Sequence, residues 1–275
     1  MSRPMIQSAV TMNQLQQKLD LIGHNLANSE TTGYKGKNAE FSSLLFQQIN
    51  NLRDPANAEG RLTPDGIRVG SGARLGAINT DFSAGPLQTT DRALDVALLE
   101  DNHLFQIQIS EDGTEETHYT RDGSFYLNPI NDQTIMLTTK DGHPVLGSNG
   151  PITMADDFDD IRIESSGDVI VSRGTEREVV GQLDIVEATL PRTLEATGQN
   201  AYRLPDLEAL GLNMNDLIRD VPQTTDIVQS GTLEQSNVNL SEQMTDMMMA
   251  QRSYQFNSRT ISMGDQMLGL INQLR

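Results

Sequence analysis

No cysteine and no tryptophan occur anywhere in the chain. The first absence excludes a disulfide framework, thiolate nucleophiles and cysteine-based metal sites. It also suits a chain that crosses unfolded into an oxidising space. Aromatic residues are only 4% of the total, so the cores must be built from small aliphatic side chains. Positive charge is scarce: 20 Lys/Arg stand against 38 Asp/Glu, a formal net charge of -18. Such a surface repels nucleic acid phosphates and anionic lipid. No apolar run reaches the roughly 18–20 residues that a membrane-spanning helix needs. Met1 to Val10 holds one Arg and no apolar stretch, so no cleaved secretory signal is expected.

Familiar catalytic patterns are missing as well. The four histidines, His24, His103, His118 and His143, are scattered, and no H-E-x-x-H or Walker sequence is present. The stretch GSGARLG at 70–76 has its third Gly one place late for a nucleotide loop and reads as a turn or extended segment. The acidic run DDFDD at 156–160 lacks EF-hand spacing and reads as a solvated acidic loop. Residues of a triad or a carboxylate pair meet only in the fold, and nothing in the sequence promotes any of them. No catalytic residue, cofactor or metal ligand is therefore expected.

What the chain does have is periodicity at both ends. Met5, Met12, Leu19 and Leu26 recur every seven residues, with Leu15 and Ile22 three residues on. This is the a/d seam of a helix that packs along another helix. The pattern predicts a helix from about Arg3 to Ala27, capped by Ser2 and stopped by Asn28, Thr31, Thr32 and Gly33. Leu240, Met247, Tyr254, Ile261 and Leu268 repeat the pattern at the other end, predicting a helix from Leu240 to Leu274. Ala250 and Gly264 on its second seam position would let a neighbouring helix come close. Six of the twelve methionines lie in this segment, and flexible thioethers suit a surface that fits several neighbours. Each helix alone would expose an apolar seam, so the two ends are expected to pair. Heptads also occur in helices that merely close a domain core, and that reading stays open.

The middle reads differently. Phe105, Ile107 and Ile109 alternate with Gln, and Ile161 and Ile163 alternate with Arg and Glu. Val169 to Val171 and Leu183 to Val186 are further short apolar runs. Asp-Gly or Gly-Asp pairs at 65–66, 112–113, 122–123, 141–142 and 167–168 punctuate them. Short strands with turn signals at this spacing predict an all-β domain. Residues 50–76 read as a long loop or irregular strand, and Pro205 to Asp220 has a weakly helical look. Charge follows the same division: residues 1–37 carry +2, residues 232–275 carry -1, and the middle carries -19. The whole is expected to be an α+β protein, with paired terminal helices and a β centre.

Several segments together resemble the bacterial flagellar axial proteins, the rod, hook and hook-associated family. NLANSETTGYK at 25–35 is similar to the signature after the family's first helix. LDVAL at 94–98, YTRDGSF at 119–125, GHPVLG at 142–147 and GQNAYR at 198–203 follow in the family's order. The stretch 230–268, from SGTLEQSNVNL onward, resembles the C-terminal signature. LTPDGIRVGSGARLG at 62–76 and the chain length are most similar to the distal-rod, hook-basal-body type. LEDNHLF at 99–105 departs from it, standing where the family has a Gly-rich, double-Phe turn.

The resemblance implies a division into a terminal helical part (1–37 and 232–275, including the exit turn), a Gly-rich connection (38–93) and a β-rich outer part (94–231). It implies a structural subunit that polymerises into a helical tube, with the heptad residues of both helices as the self-assembly seam. Asn25, Asn28, Thr31, Gly33 and Tyr34 would form the turn that redirects the chain outward, with Gly33 at positive φ. Expected partners are further copies of the chain, other rod and hook proteins, and the flagellar type III export apparatus. Neither nucleic acid nor membrane insertion is expected. The implied place is the flagellar basal body outside the cytoplasmic membrane, reached by export without a cleaved signal. Two alternatives remain: an assembly accessory or hook-like protein, and an enzyme or binding domain carried on a coiled-coil stalk.

Overall fold

A computed structural model of the chain describes residues 3–43, 46–49, 67–70, 73–111, 113–198, 200–207, 211, 213–222 and 226–273. The Ser2 cap, the Asp65–Gly66 turn and Leu274 lie outside the described residues, as do Asp112 and most of the 50–76 segment. The chain divides into two compact units: residues 1–26, 37–79 and 240–275 form one, and residues 27–36 and 80–239 form the other.

The first unit is built on α1 (Arg3–Ala27) and α2 (Leu240–Gln273). They run antiparallel: Met5 lies against Gly264, Lys18 Nζ is 3.3 Å from Asp246 Oδ2, and Asn25 Nδ2 is 3.3 Å from Gln243 Oε1. Close approach at the first contact depends on Gly264. A Cβ there would sit 2.8 Å from Met5 Cγ. Ile22, Ser8 and Ala250 are buried between the helices. Two strand pairs complete the unit, Lys37–Ser43 with Ala73–Thr80 and Phe46–Ile49 with Ile67–Gly70.

The second unit is all-antiparallel β apart from short helical turns. Its largest sheet is six-stranded, in the order Glu195–Gly198, Ala201–Arg203, Thr114–Thr120, His103–Glu111, Ile185–Ala188, Ile218–Asp220. Because side chains alternate along a strand, neighbouring residues serve opposite faces. Phe105, Ile107, Ile185 and Ala201 join one buried cluster, while Leu104, Val186 and Tyr202 join another. The first cluster extends over two three-stranded sheets. One is Thr153–Ala155, Thr134–Thr139 and Phe125–Asn131; the other is Asp160–Ile163, Asp168–Arg173 and Glu176–Gln182. Phe105 meets Phe125 edge-on, with ring centroids 5.1 Å apart.

The apolar runs expected to be strands, at 105–109, 161–163, 169–171 and 183–186, all lie in these clusters. Within 205–220, Leu207 and Met214–Leu217 are helical, the latter passing directly into the strand Ile218–Asp220, and residues 208–210 and 212 lie outside the described residues. Leu217 and Ile218, at this junction, are both buried in the second cluster.

Phe105→Ala removes a fully buried ring from the larger cluster. The expected loss is about 3–5 kcal/mol in the unfolding free energy of the β unit, read by urea denaturation of the full chain.

Candidate functional site

The most unusual chemistry of the β unit is a set of buried charges. Lys35, Arg121 and Glu234 are each at most 3% exposed. Lys35 comes from the exit turn after α1, Arg121 from the segment between two central strands, and Glu234 from the strand Thr232–Glu234. Glu234 Oε1 accepts from Lys35 Nζ at 2.7 Å and from the Gly85 backbone N–H at 2.7 Å; Oε2 accepts from Arg121 Nε at 2.5 Å. The remaining donors are also used. Lys35 Nζ donates to the Ser83 carbonyl at 2.7 Å, and Arg121 Nη1 donates to the carbonyls of Asp101 and His103 at 2.8 and 2.7 Å.

A buried charge is tolerated when it is paired and hydrogen-bonded, and here Glu234 lies between both cations while backbone carbonyls accept from each. Burial opposes ionisation of Glu234, but the Arg121 charge and the hydrogen bonds from Arg121, Lys35 and Gly85 outweigh it and hold the carboxyl below its usual range. Burial and then the Arg121 charge pull Lys35 below the usual ammonium value. Asp101 and His103 also face this centre, and burial followed by Arg121 lowers His103.

Around this cluster the segments singled out in the sequence come together. Thr32 Oγ1 donates to Asp122 Oδ1 at 2.9 Å, and the Thr32 carbonyl accepts from Asn200 Nδ2 at 3.0 Å. Asn200 holds φ +60, a left-handed value that Asn takes more readily than most residues. The Gly33 N–H donates to the Glu234 carbonyl at 2.8 Å. Gly36 N–H donates to Asn237 Oδ1 at 2.7 Å, while Asn237 Nδ2 donates to the Asp81 carbonyl at 2.8 Å. Residues from 25–35, 119–125, 198–203 and 230–237 thus meet in one place, although they are distant in sequence.

Gly33 has φ +64, as its position in the turn suggested, and it has no spare room. A Cβ there would lie 2.6 Å from the backbone carbonyl of Arg121. The other turn residues each hold a local bond. Asn28 accepts from Thr31 at both its backbone carbonyl and Oδ1, the Thr31 carbonyl accepts from the Tyr34 N–H, and Tyr34 is buried, its phenol pushed up to about 12 by desolvation. Asn25 belongs to the helical unit, where its side-chain amide pairs with both the N–H and the carbonyl of Lys37 at 2.9 and 2.8 Å.

Of the heptad residues, Ile22 is buried and Met5, Met12, Leu15, Leu19 and Leu26 are half-buried. On α2, Met247, Tyr254 and Ile261 are half-buried, whereas Leu240 and Leu268 are exposed. Sequence reasoning missed a second apolar row on α2, comprising Met244, Met248, Phe256, Met263, Met267 and Leu270, all exposed. At 3.6 residues per turn Phe256, Met263, Met267 and Leu270 lie on roughly the opposite side of the helix from the heptads, whereas Met244, one turn from both Leu240 and Met247, lies nearer them.

The acidic run at 156–160 is engaged by arginine and backbone. Asp157 pairs with Arg173, Asp160 with Arg162, and Asp159 accepts from the Gly174 N–H. Among the described residues no group of His, Asp or Glu side chains converges to hold a metal ion. A wide cleft of about 830 Å³ in the β unit sets Arg92, Arg162 and Arg177 beside Asp91, Asp160 and Glu164, a balance that gives it no charge preference. LEDNHLF, the departure noted above, supplies Leu104 and Phe105 to the core and the Asp101 and His103 carbonyls to Arg121.

Comparison with known proteins matches three family descriptions in chain order. "Flagella basal body rod protein" covers residues 8–35, "Flagellar hook protein FlgE/F/G D1 domain" covers 98–171, and "Flagellar basal body rod FlgEFG protein C-terminal" covers 229–274. The flagellar hook-basal body complex protein FlhP of Bacillus subtilis is 38% identical over 100% of both chains. The flagellar basal-body rod protein FlgG of Borreliella burgdorferi is 34% identical over 100% of this chain and 99% of its own. FlgG of Caulobacter vibrioides is 32% identical over 94% of each.

Two outcomes follow from this geometry. Gly33→Val must displace the 121–122 backbone as well as adopt an unfavourable φ, so the full chain should lose about 2–4 kcal/mol of stability, measured by thermal unfolding. Glu234→Gln leaves two buried cations without their anion and should cost about 3–5 kcal/mol. In the unaltered protein the Glu234 contribution is complete above the ordinary glutamate value of 4.5 and is lost as pH falls through the lower folded value. The Gln variant should therefore show a flatter acid limb in a denaturation series across pH 2–6 (about the range of carboxyl titration).

Proposed function

Since the chain belongs to the flagellar basal-body rod and hook protein family, we propose that its terminal helical unit polymerises with further copies into the tube of the rod. The protein is a structural subunit of the flagellar basal body, of the distal-rod type. The observation that carries the assembly reading is the antiparallel pairing of α1 and α2, which leaves large apolar side chains of α2 exposed beside an otherwise acidic protein.

In this reading the heptad seam holds the hairpin in the form that assembles. Identical contacts that do not close into a ring give an open helical tube. The β unit carries most of the negative charge and stays solvated on the outside, and the exit turn sets where it leaves the tube. Neighbours are other rod and hook proteins, and the route outward is the flagellar type III export apparatus, without removal of a signal. The work is mechanical, the transmission of torque, and needs no catalytic group or cofactor.

The test is to delete the gene in its motile host, supply tagged protein, and purify basal bodies. The tagged chain is expected in the rod fraction, with motility restored. Its absence from basal bodies, or normal rods in the deletion strain, would refute the reading.

Ile261→Asp places a carboxylate in the half-buried seam against α1. Basal-body incorporation and swimming are expected to fail, while the β unit keeps its own thermal transition. Loss of that transition would show that the seam serves the β unit instead.

A further inference from the structure

With no cysteine and no tryptophan in the chain, its most readily oxidised side chains are its twelve methionines. Their placement is uneven. Met154 sits in the larger β cluster at 3% exposure, and Met247 is half-buried. By contrast, Met244, Met248, Met249, Met263 and Met267 of α2 are between 48% and 60% exposed. Met249, Phe256 and Met263 recur every seven residues, and Met267 follows one turn later, so three of these five sulfurs share one side of the helix.

We propose that the five exposed methionines of α2 are a reversible oxidation site: a hydroperoxide converts them to sulfoxides while the chain is unassembled, and the oxidised chain is refused by the rod. The inference rests on the rod-subunit reading and adds a chemical control to it.

The step balances with hydrogen peroxide as the oxidant. A lone pair of the methionine Sδ attacks one peroxide oxygen, the O–O bond breaks and an S–O bond forms. Sulfur is oxidised and the peroxide is reduced. The departing hydroxide takes the proton of the transferred oxygen and leaves as water. Methionine sulfoxide reductases restore the thioether.

The structure sorts these sulfurs from the rest. The five are open to solvent in the folded chain, whereas Met154 is shielded by the β core. Oxidation replaces an apolar, flexible group with a strong hydrogen-bond acceptor. Buried among apolar neighbours such as Phe256 and Leu270, that acceptor would lack a donor, a penalty repeated at each sulfur. Met249, Met263 and Met267 lie away from the side that holds Gly264 against Met5, so their oxidation leaves the helix pair and the β unit folded. Once a subunit is packed, its neighbours shield the same sulfurs.

Peptide mass mapping of the purified full chain after hydrogen peroxide should find one added oxygen on each of the five, with Met154 unmodified and the thermal transition of the β unit retained. In the motile host, peroxide should cut incorporation of newly made chain into basal bodies by about tenfold or more. Chain already incorporated should remain unoxidised at Met249, Met263 and Met267. Replacing all five by Leu removes the sulfur and keeps the apolar volume. Measured against its own untreated culture, that variant should lose the peroxide sensitivity. Met214→Leu, at an exposed methionine of the β unit, should keep it. If the five-Leu chain does not assemble untreated, raised methionine sulfoxide reductase in the host of the unaltered chain decides instead: restored incorporation supports the inference and unchanged loss overturns it. Equal oxidation of Met154 in the folded chain, sulfoxidised chain entering basal bodies at the unoxidised level, or a five-Leu variant as sensitive as the unaltered chain also overturns it, and each leaves the rod reading intact. Absence of the unaltered chain from basal bodies of unstressed cells overturns both.

Discussion

The Lys35–Glu234–Arg121 cluster is the constraint on which the second unit depends. Three charges from three distant parts of the chain share one dry site, and both cations depend on the single anion, Glu234. Removing Glu234 leaves two buried cations without an anion, an error of several kcal/mol, whereas removing Lys35 or Arg121 still leaves one cation beside Glu234. The cluster therefore ties the residues after α1 and the residues before α2 to the same point on the β unit. Thr32, Gly33 and Asn237 add further hydrogen bonds around it.

The helical unit works by a different balance. Its pairing uses small residues for approach, Gly264 and Ala250, and amides or single ion pairs for register, Asn25 with Gln243 and Lys18 with Asp246. None of these contacts is individually strong; a half-exposed ion pair contributes about 0–1 kcal/mol. What distinguishes α2 is that it is apolar on two sides. One side faces α1, and the other is left for something else.

Much of this was legible in the sequence. The seven-residue repeat placed α1 and α2 because a long periodic run averages over many residues. The alternation at Phe105–Ile109 and Ile161–Ile163 placed central strands for the same reason. Gly33 could be assigned a positive φ from its place after Thr31 and Thr32. The buried cluster was not legible, because Lys35, Arg121 and Glu234 look like any solvated charges until the chain brings them together. Lys35 and Lys37 are alike in sequence, yet Lys35 is in the ionic cluster while Lys37 offers its backbone to Asn25. The outer row of α2 was hidden for another reason: a heptad template, once matched, accounts for one stripe and treats other methionines as incidental. In 205–220 the helix Met214–Leu217 gives way at Ile218 to a strand, because Ile218 answers to the β core.

The cluster also imposes an order in time. A ribosome, or a narrow conduit threaded from the N-terminus, delivers Lys35 early, Arg121 midway and Glu234 only about forty residues before the end. Until Glu234 is free, closing the β unit would trap two cations in a dry interior, so the nascent chain has an energetic reason to remain open. The segment that follows it is α2. A chain made in this order completes the charge balance of its β unit only once the strand Thr232–Glu234 has appeared, just ahead of α2.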